Sequence, residues 1–345
     1  MRPIRIAQIG IGHNHGESKM AALRKLPELF EIVGVCEPDP VWYGKRHALR
    51  CYEGIPFLPK EKLLAVPGLE AVAIETDGPE LLPSALECAS RGLHIHMDKP
   101  GGQDLAGFRR LVEVCRSGNR ALQLAYVYRN NPGLKFCLEM IRKGVLGDIF
   151  EIHAVMSRYD GDKPDYRRWL AQFKGGAMYI FAGYLIDLVL QALGEPQKVH
   201  SFLKETRGDG LVDNGLAVLE YPVATATVRV SVAEVEGFKT RRFAVRGTRG
   251  SVELCPIEPP GPEYYTAPLR VRLSLLEPFG TYSAGTQEVD CGVLGDRYTG
   301  QLTEFARIVR GEMENPFDYE HEYLLQKILL EICGATEKEN EGNHH

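Results

Sequence analysis

The chain has 345 residues, 44% of them apolar, more than one hydrophobic core usually organises and enough to fill two. Its 41 Lys and Arg against 46 Asp and Glu give a net charge of −5 without long like-charge blocks, which argues against nucleic-acid or anionic-membrane partners. No stretch approaches the ~20 apolar residues of a membrane span, and Met1 leads straight into a strand-like run, so a soluble cytoplasmic protein is expected.

Through residue 125, short apolar runs alternate with helix-period segments. This pattern predicts parallel strands at 4–9, 31–36, 71–75, 93–97 and 121–125, joined by crossover helices. Leu82, Ala85, Leu86 and Ala89 recur at i, i+3, i+4, i+7, as do Phe108, Leu111, Val112 and Cys115, and each set makes one apolar stripe for a sheet. Asp104 is placed to cap the second of these helices and Gly118 to end it. A further helix carries Leu134, Cys137, Leu138 and Ile141 on one face and stops at Gly144.

Beyond that helix the apolar period changes from 3.6 to 2. Ala226, Val228, Val230 and Val232 alternate with polar residues, and so do Leu269, Val271, Leu273 and Leu275, which predicts strands with one buried and one wet face. Gly247-Thr248-Arg249-Gly250 reads as a hairpin turn between two such runs. Two helices close the chain, one with Leu302, Phe305, Ala306 and Val309 in register, the other with Leu325, Ile328, Leu329 and Ile332. The eight cysteines are scattered, form no C-x-x-C pair and are expected to be buried, reduced thiols. The closing Asn343-His344-His345 is tag-like and is left out of the fold reading.

Gly10-Ile11-Gly12 follows the first strand directly and opens a helix carrying Met20, Leu23 and Leu26. Glycine suits such a corner because the backbone must turn tightly and let a pyrophosphate reach the N-terminal N–H groups of the helix, where the dipole favours negative charge. The candidate loop is Gly10, Ile11, Gly12, His13, Asn14 and His15. Its third motif position holds His15, with Gly16 one residue late; a side chain there either widens the helix-to-strand packing or points at the cofactor. Glu37 ends the second strand, where a carboxylate can take both ribose hydroxyls and repel a 2'-phosphate, so NAD is expected over NADP. The fold class expected is α/β plus α+β. A Rossmann-type doubly wound parallel sheet occupies 1–125, and an open, mainly antiparallel sheet with helices on one face occupies 126–340.

Residues 70–102, EAVAIETDGPELLPSALECASRGLHIHMDKPGG, resemble the glucose-fructose oxidoreductase, inositol dehydrogenase and rhizopine-catabolism (Gfo/Idh/MocA) family. So do Tyr128-Arg129-Asn130-Asn131-Pro132, Gly175-Gly176-Ala177 leading to Leu185-Ile186-Asp187, and the Gly-Thr-x-Gly hairpin, which extends the resemblance over nearly the whole chain. The resemblance implies an NAD(P)-dependent oxidoreductase of carbohydrate metabolism acting on a small polyhydroxylated substrate. It implies that Thr76, followed by Asp77, lies near the nicotinamide ribose and that Asp98-Lys99-Pro100 stands for the family's Glu-Lys-Pro, with a cis Lys-Pro bond. The family's second catalytic element is an Asp and a His four residues apart on a helix. Those positions hold Ile180 and Tyr184 here, and only Asp187, three residues further on the same face, keeps its family identity. Glucose-fructose oxidoreductases resemble this chain in having the tyrosine.

Oxidising a secondary alcohol needs a group that takes the hydroxyl proton while hydride leaves the same carbon. Lys99 is the candidate: lysine titrates near 10.4, and a pyridinium charge ~6 Å away at an effective dielectric of ~20 would lower that by about 2. Tyr184 is the second proton-exchanging candidate and Asp187 its support, whereas Ile180 can orient nothing. Tyr128, Arg129, Arg158, Arg168 and Trp169 are the candidate substrate residues, since apolar stacking plus fixed donors suits a sugar or sugar acid. Arg167 and Arg168 read equally as surface charges. The open sheet face is expected to be covered in a homodimer or homotetramer.

Three other readings compete. The loss at Ile180 is compatible with a dinucleotide-binding sensor that transfers no hydride. An enzyme that oxidises a sugar transiently, for elimination or glycoside cleavage, would show no net cofactor reduction. A metal-dependent hydrolase is suggested by His13-x-His15 and His94-x-His96, but no carboxylate in the sequence clearly completes a site and no metal is assigned.

Overall fold

The computed structural model describes residues 2–335; Asn343-His344-His345 lies outside the described residues. The chain divides into two units, Met1–Val127 with Gly295–Gln326, and Tyr128–Leu294 with Lys327–His345.

The first unit is built on five parallel strands, β1 (Ile4–Ile9), β2 (Phe30–Cys36), β3 (Ala71–Ile74), β4 (His94–Met97) and β5 (Leu122–Leu124), in the order β2-β1-β3-β4-β5. Every residue of β3 is buried, as a sheet covered on both faces requires. Helices α1 (Gly16–Arg24), α2 (Pro40–Arg46), α3 (Lys60–Leu64), α4 (Leu81–Ser90) and α5 (Leu105–Ser117) follow these strands in turn. Asp104 accepts a hydrogen bond from the Gly107 N–H at 3.0 Å to start α5, and Gly118 caps its end. Strand order reverses between β1 and β3, and ligands of open α/β sheets bind at the carboxyl ends of the strands at such a switch point.

Strand-helix alternation in the sequence assigns everything after 125 to one C-terminal domain, and here the structure differs: Gly295–Gln326 joins the first unit. The cause is the apolar stripe of α10 (Thr299–Val309), whose Leu302, Phe305 and Ala306 are buried, with the Phe305 ring 5.5 Å from that of His96. Lys25 adds an ion pair to Asp296 at 2.6 Å.

The second unit is an eight-stranded sheet in the order β13-β12-β11-β10-β6-β9-β8-β7. Its strands are β6 (Ile149–Ser157), β7 (Lys198–Lys204), β8 (Asn214–Glu220), β9 (Thr225–Ser231), β10 (Arg242–Gly247), β11 (Gly250–Leu254), β12 (Arg270–Leu275) and β13 (Gly285–Asp290). All neighbours are antiparallel except β6 and β9. Buried and more exposed residues alternate along β8, β9 and β12. Helix α6 (Pro132–Arg142) packs on β11 and β12, while α8 (Ala177–Phe181) and α9 (Gly183–Leu193) pack on β9. Helix α7 (Pro164–Ala171) precedes them, and α11 (Tyr319–Ile332) closes the chain. All eight cysteines are unbonded; Cys255 is exposed and Cys291 half-buried, unlike the other six.

Candidate functional site

The corner between β1 and α1 is shaped by what glycine lacks. Gly10 has φ +86°, and a Cβ there would lie 2.5 Å from both N and Cα of Thr76. At Gly12 a Cβ would approach Trp42 Cδ1 at 3.0 Å and the Asp77 nitrogen at 3.1 Å. The loop after β1 and the chain after β3 are therefore in close contact. Ile11 N–H donates to Glu37 Oε2 at 2.6 Å and Asp39 N–H to Glu37 Oε1 at 2.8 Å, tying the acidic end of β2 to the same loop. Burial raises the Glu37 carboxyl against the pull of these bonds.

Arg46 was not singled out by sequence pattern, yet its Nη1 donates to the carbonyls of Ile11 at 3.0 Å and His13 at 2.6 Å. Its guanidinium lies 4.7 Å from the Trp42 ring centroid, and its other nitrogen reaches the exposed Asn14 side chain at 3.4 Å. The available signal is their spacing of four residues on one helix, directly after the acidic strand end. A cavity of about 410 Å³ opens beside Glu37, lined also by Cys36, Tyr43, Phe57 and Lys60.

His15, expected either to widen the helix-to-strand packing or to point at the cofactor, has its Nδ1 2.9 Å from Asp98 Oδ2. His13 Nδ1 stands 3.4 Å from the same oxygen and 3.9 Å from Glu75 Oε2. Glu75 is wholly buried, and its Oε1 lies 3.7 Å from Lys19 Nζ. Lys19, also wholly buried, donates to His96 Nε2 at 2.6 Å, while His96 Nδ1 pairs with Gln123 Oε1 at 2.8 Å. Burial pushes the His13 imidazole down to about 3 and lowers those of His15 and His96. Burial and the neighbouring Asp98 hold the Glu75 carboxyl well above the usual range. Burial would raise Asp98 as well, but His13, His15 and Lys19 outweigh it and hold Asp98 well below.

Asp98 also accepts the Lys99 N–H at 2.7 Å, fixing the backbone where β4 ends, and the Lys99–Pro100 bond is cis. The Lys99 side chain is buried. Thr76 Oγ1 is buried without a hydrogen-bond partner, and Asp77 caps the turn that begins at Gly78. The structure thus brings the glycine loop, Thr76, Asp77, Asp98 and Lys99 to the carboxyl ends of β1, β3 and β4. A dinucleotide fits this arrangement: the loop crowds out any side chain at residue 10, Thr76 offers an unused hydroxyl, and Arg46 places positive charge on the loop.

In the second unit, Tyr128 and Tyr184 are buried with ring centroids 5.1 Å apart. Tyr128 is held by its hydroxyl, 2.9 Å from Glu258 Oε2. Glu258 in turn takes the Tyr264 hydroxyl at 2.7 Å and pairs with buried Arg241, three residues that sequence pattern did not single out. Arg129 is not free for a substrate: Nη2 and Nε donate to Asp187 Oδ1 at 2.8 and 3.1 Å, and Gln191 holds Oδ2 at 3.0 Å. Breaking such a buried pair from one side costs about 3–5 kcal/mol, so Asp187 braces α9. Ile180 and Tyr184 sit one turn apart, since helical backbone continues through Ala182 between α8 and α9.

Arg158 pairs with Asp160 at 2.6 Å amid the rings of Tyr166, Phe181 and Phe238, each 5.5–5.6 Å away. Trp169 stacks on Tyr166 at 5.6 Å, which joins it to Arg158. Arg168 does not join them. Its side chain is 74% exposed and pairs with Asp165, because the buried face of α7 is taken by Arg167 and Leu170. Arg167 is not a surface charge; it pairs with Asp209 at 2.7 Å and Asp213 at 3.0 Å.

Residues 136–253 match the family model of the GFO/IDH/MocA C-terminal domain. An uncharacterized oxidoreductase of Rhizobium meliloti is 23% identical over 334 residues, covering 94% of this chain and 96% of its own. A D-xylose 1-dehydrogenase (NADP(+)) of Haloferax volcanii is 27% identical over 202 residues, 57% of this chain and 59% of that one. Among solved structures, aldose-aldose oxidoreductase from Caulobacter crescentus, complexed with glycerol, aligns with a TM-score of 0.79 at 18% identity over 97% of both chains. Its C-terminal stretch thus matches the GFO/IDH/MocA domain model, and the chain is similar to an oxidoreductase over nearly its whole length.

Histidines stand at 13 and 15 in the loop after β1, and Ile180 and Tyr184 are buried in the second unit.

Proposed function

We propose that this oxidoreductase is an NAD-dependent dehydrogenase that moves hydride between the nicotinamide and a secondary alcohol of a sugar, sugar acid or cyclitol. The observation that carries this reading is the contact of Gly10 with Thr76, in a loop bonded through His15 to the strand end that bears Lys99. Bound dinucleotide would supply the hydride acceptor. The chain's own residues do the rest: the glycines admit the pyrophosphate, Thr76 and Glu37 engage ribose hydroxyls, and Lys99 orients the substrate hydroxyl and takes its proton. Tyr184 is the proton-exchanging group of the second unit, braced by Asp187. Arg158, Tyr166 and Trp169 offer the rings and charge that suit a polyhydroxylated, acidic or neutral sugar.

The D-xylose dehydrogenase and the aldose-aldose oxidoreductase support the substrate class. Phe150 and Phe202, 48% and 56% exposed on β6 and β7, support a homodimer or homotetramer. The eight unbonded cysteines support a cytoplasmic setting.

Glu37 decides the cofactor in this reading. Glu37→Gln keeps an acceptor for the Ile11 N–H but removes the charge that repels a 2'-phosphate. The ratio of kcat/KM for NAD to that for NADP is expected to fall about tenfold, roughly 1.4 kcal/mol. An unchanged ratio would remove Glu37 as the selecting residue.

A further inference from the structure

Two histidines of the glycine loop and the carboxylates at the ends of β3 and β4 form a cluster with a chemistry of its own. One ring nitrogen each of His13 and His15 and an Asp98 carboxylate oxygen lie within 4.8 Å of one another. Bonds of about 2.0–2.1 Å to a four-coordinate ion set neighbouring donor atoms about 3.3 Å apart. Asp98 Oδ2 lies 2.9 Å from His15 Nδ1 and 3.4 Å from His13 Nδ1, close to that spacing.

Glu75 supplies an independent observation. Its side chain is wholly buried, neither carboxylate oxygen has a hydrogen-bond partner, and Oε2 is 3.9 Å from His13 Nδ1. Lys19 Nζ stands 3.7 Å from Oε1, which leaves Oε2, on the His13 side, open to a cation. The backbone favours the arrangement as well. The His13 N–H is held by the Glu75 carbonyl at 2.9 Å, which locks the loop against the end of β3 and aims both His13 and Glu75 inward.

We propose that His13, His15, Asp98 and Glu75 form a binding site for one divalent transition-metal ion of the zinc class, adjoining the glycines, Thr76 and Glu37 of the proposed dinucleotide site. Two imidazoles and two carboxylates suit zinc and its neighbours better than magnesium or calcium, which prefer all-oxygen shells. The His15 N–H now donates to His13 Nδ1 at 3.2 Å, and the ion takes that lone pair in its place. The sequence hides the site because Asp98 lies 83 residues after His15.

The test uses the full chain, stripped with a chelator and free of dinucleotide, titrated with Zn²⁺ by calorimetry and with Co²⁺ by absorption. About one ion per chain is expected, with the intense visible bands of a four-coordinate cobalt site. The doubly substituted His344→Ala, His345→Ala chain is expected to bind the same ion, which separates the site from the terminal histidines. His15→Gln, at the more exposed ligand, is expected to weaken binding by at least about 10- to 100-fold and to lose the cobalt bands. Glu75→Gln, which keeps the volume, is expected to weaken binding too. Circular dichroism and the Tm of each metal-free variant show whether it folds. No ion beyond what the terminal histidines hold, or equal affinity in a folded His15→Gln chain, would overturn the proposal. Because the readout is metal binding without dinucleotide, a failure of hydride transfer leaves this result standing, and the converse also holds.

Discussion

Lys99→Ala is expected to lower kcat by at least about 10²-fold while dinucleotide affinity changes little. The geometry explains why the two effects separate. The backbone at this position is held by the Asp98 carboxylate accepting the Lys99 N–H at 2.7 Å, a bond that alanine keeps. What alanine removes is the buried ammonium group of the residue that follows β4. Steady-state rates on any accepted polyol, with NAD binding measured separately, check both halves. Turnover equal to that of the parent chain would end the catalytic assignment.

Gly10→Ala is expected to have the largest effect on stability and to cost dinucleotide binding with it. At φ +86° an L-residue is strained by about 1–2 kcal/mol, and a methyl group 2.5 Å from Thr76 N and Cα adds about 1–3 kcal/mol of overpacking. Those neighbours are backbone, so they cannot swing aside as a flexible side chain would. The sum, about 2–5 kcal/mol, is readable in urea unfolding. Gly12→Ala is the control: its backbone is not left-handed, and its nearest contacts are at 3.0–3.1 Å, so a smaller loss is expected. Equal losses in the two variants would show that the Gly10 corner is not specially constrained.

These two positions also show what can be read from sequence and what cannot. Gly10 was legible because an apolar strand, two glycines and an apolar helix stripe follow one another directly, and every step of that reading is local. Lys99 was legible through the resemblance of the segment around it. The antiparallel strands were legible because their buried and exposed residues alternate with period 2. What failed was long-range. The period of α10 shows that it has an apolar face but not which core receives it, and Gly295–Gln326 packs with the first unit. Arg129 looked like a substrate ligand until Asp187, 58 residues away, was found at 2.8 Å. Asp98 was read as part of the Lys-Pro element, and nothing local announced that two histidines from the first loop would converge on it. Arg168 and its neighbour Arg167 could not be told apart by residue type, and the helix turned Arg167 inward instead.

The reading of Glu37 illustrates a further limit. Pattern placed a carboxylate at the end of β2, but its two oxygens already accept N–H groups from Ile11 and Asp39. Those bonds hold the side chain in place, and a ribose would have to share them.

The most direct measurement is NADH formation when the protein, at a concentration comparable to that of NAD, is mixed with a panel of sugars, sugar acids and inositols. That ratio registers even a single turnover held on the enzyme. At least one panel member is expected to give NADH in the parent chain and at least about 10²-fold more slowly with Lys99→Ala. No NADH from any of them would contradict hydride transfer by this chain.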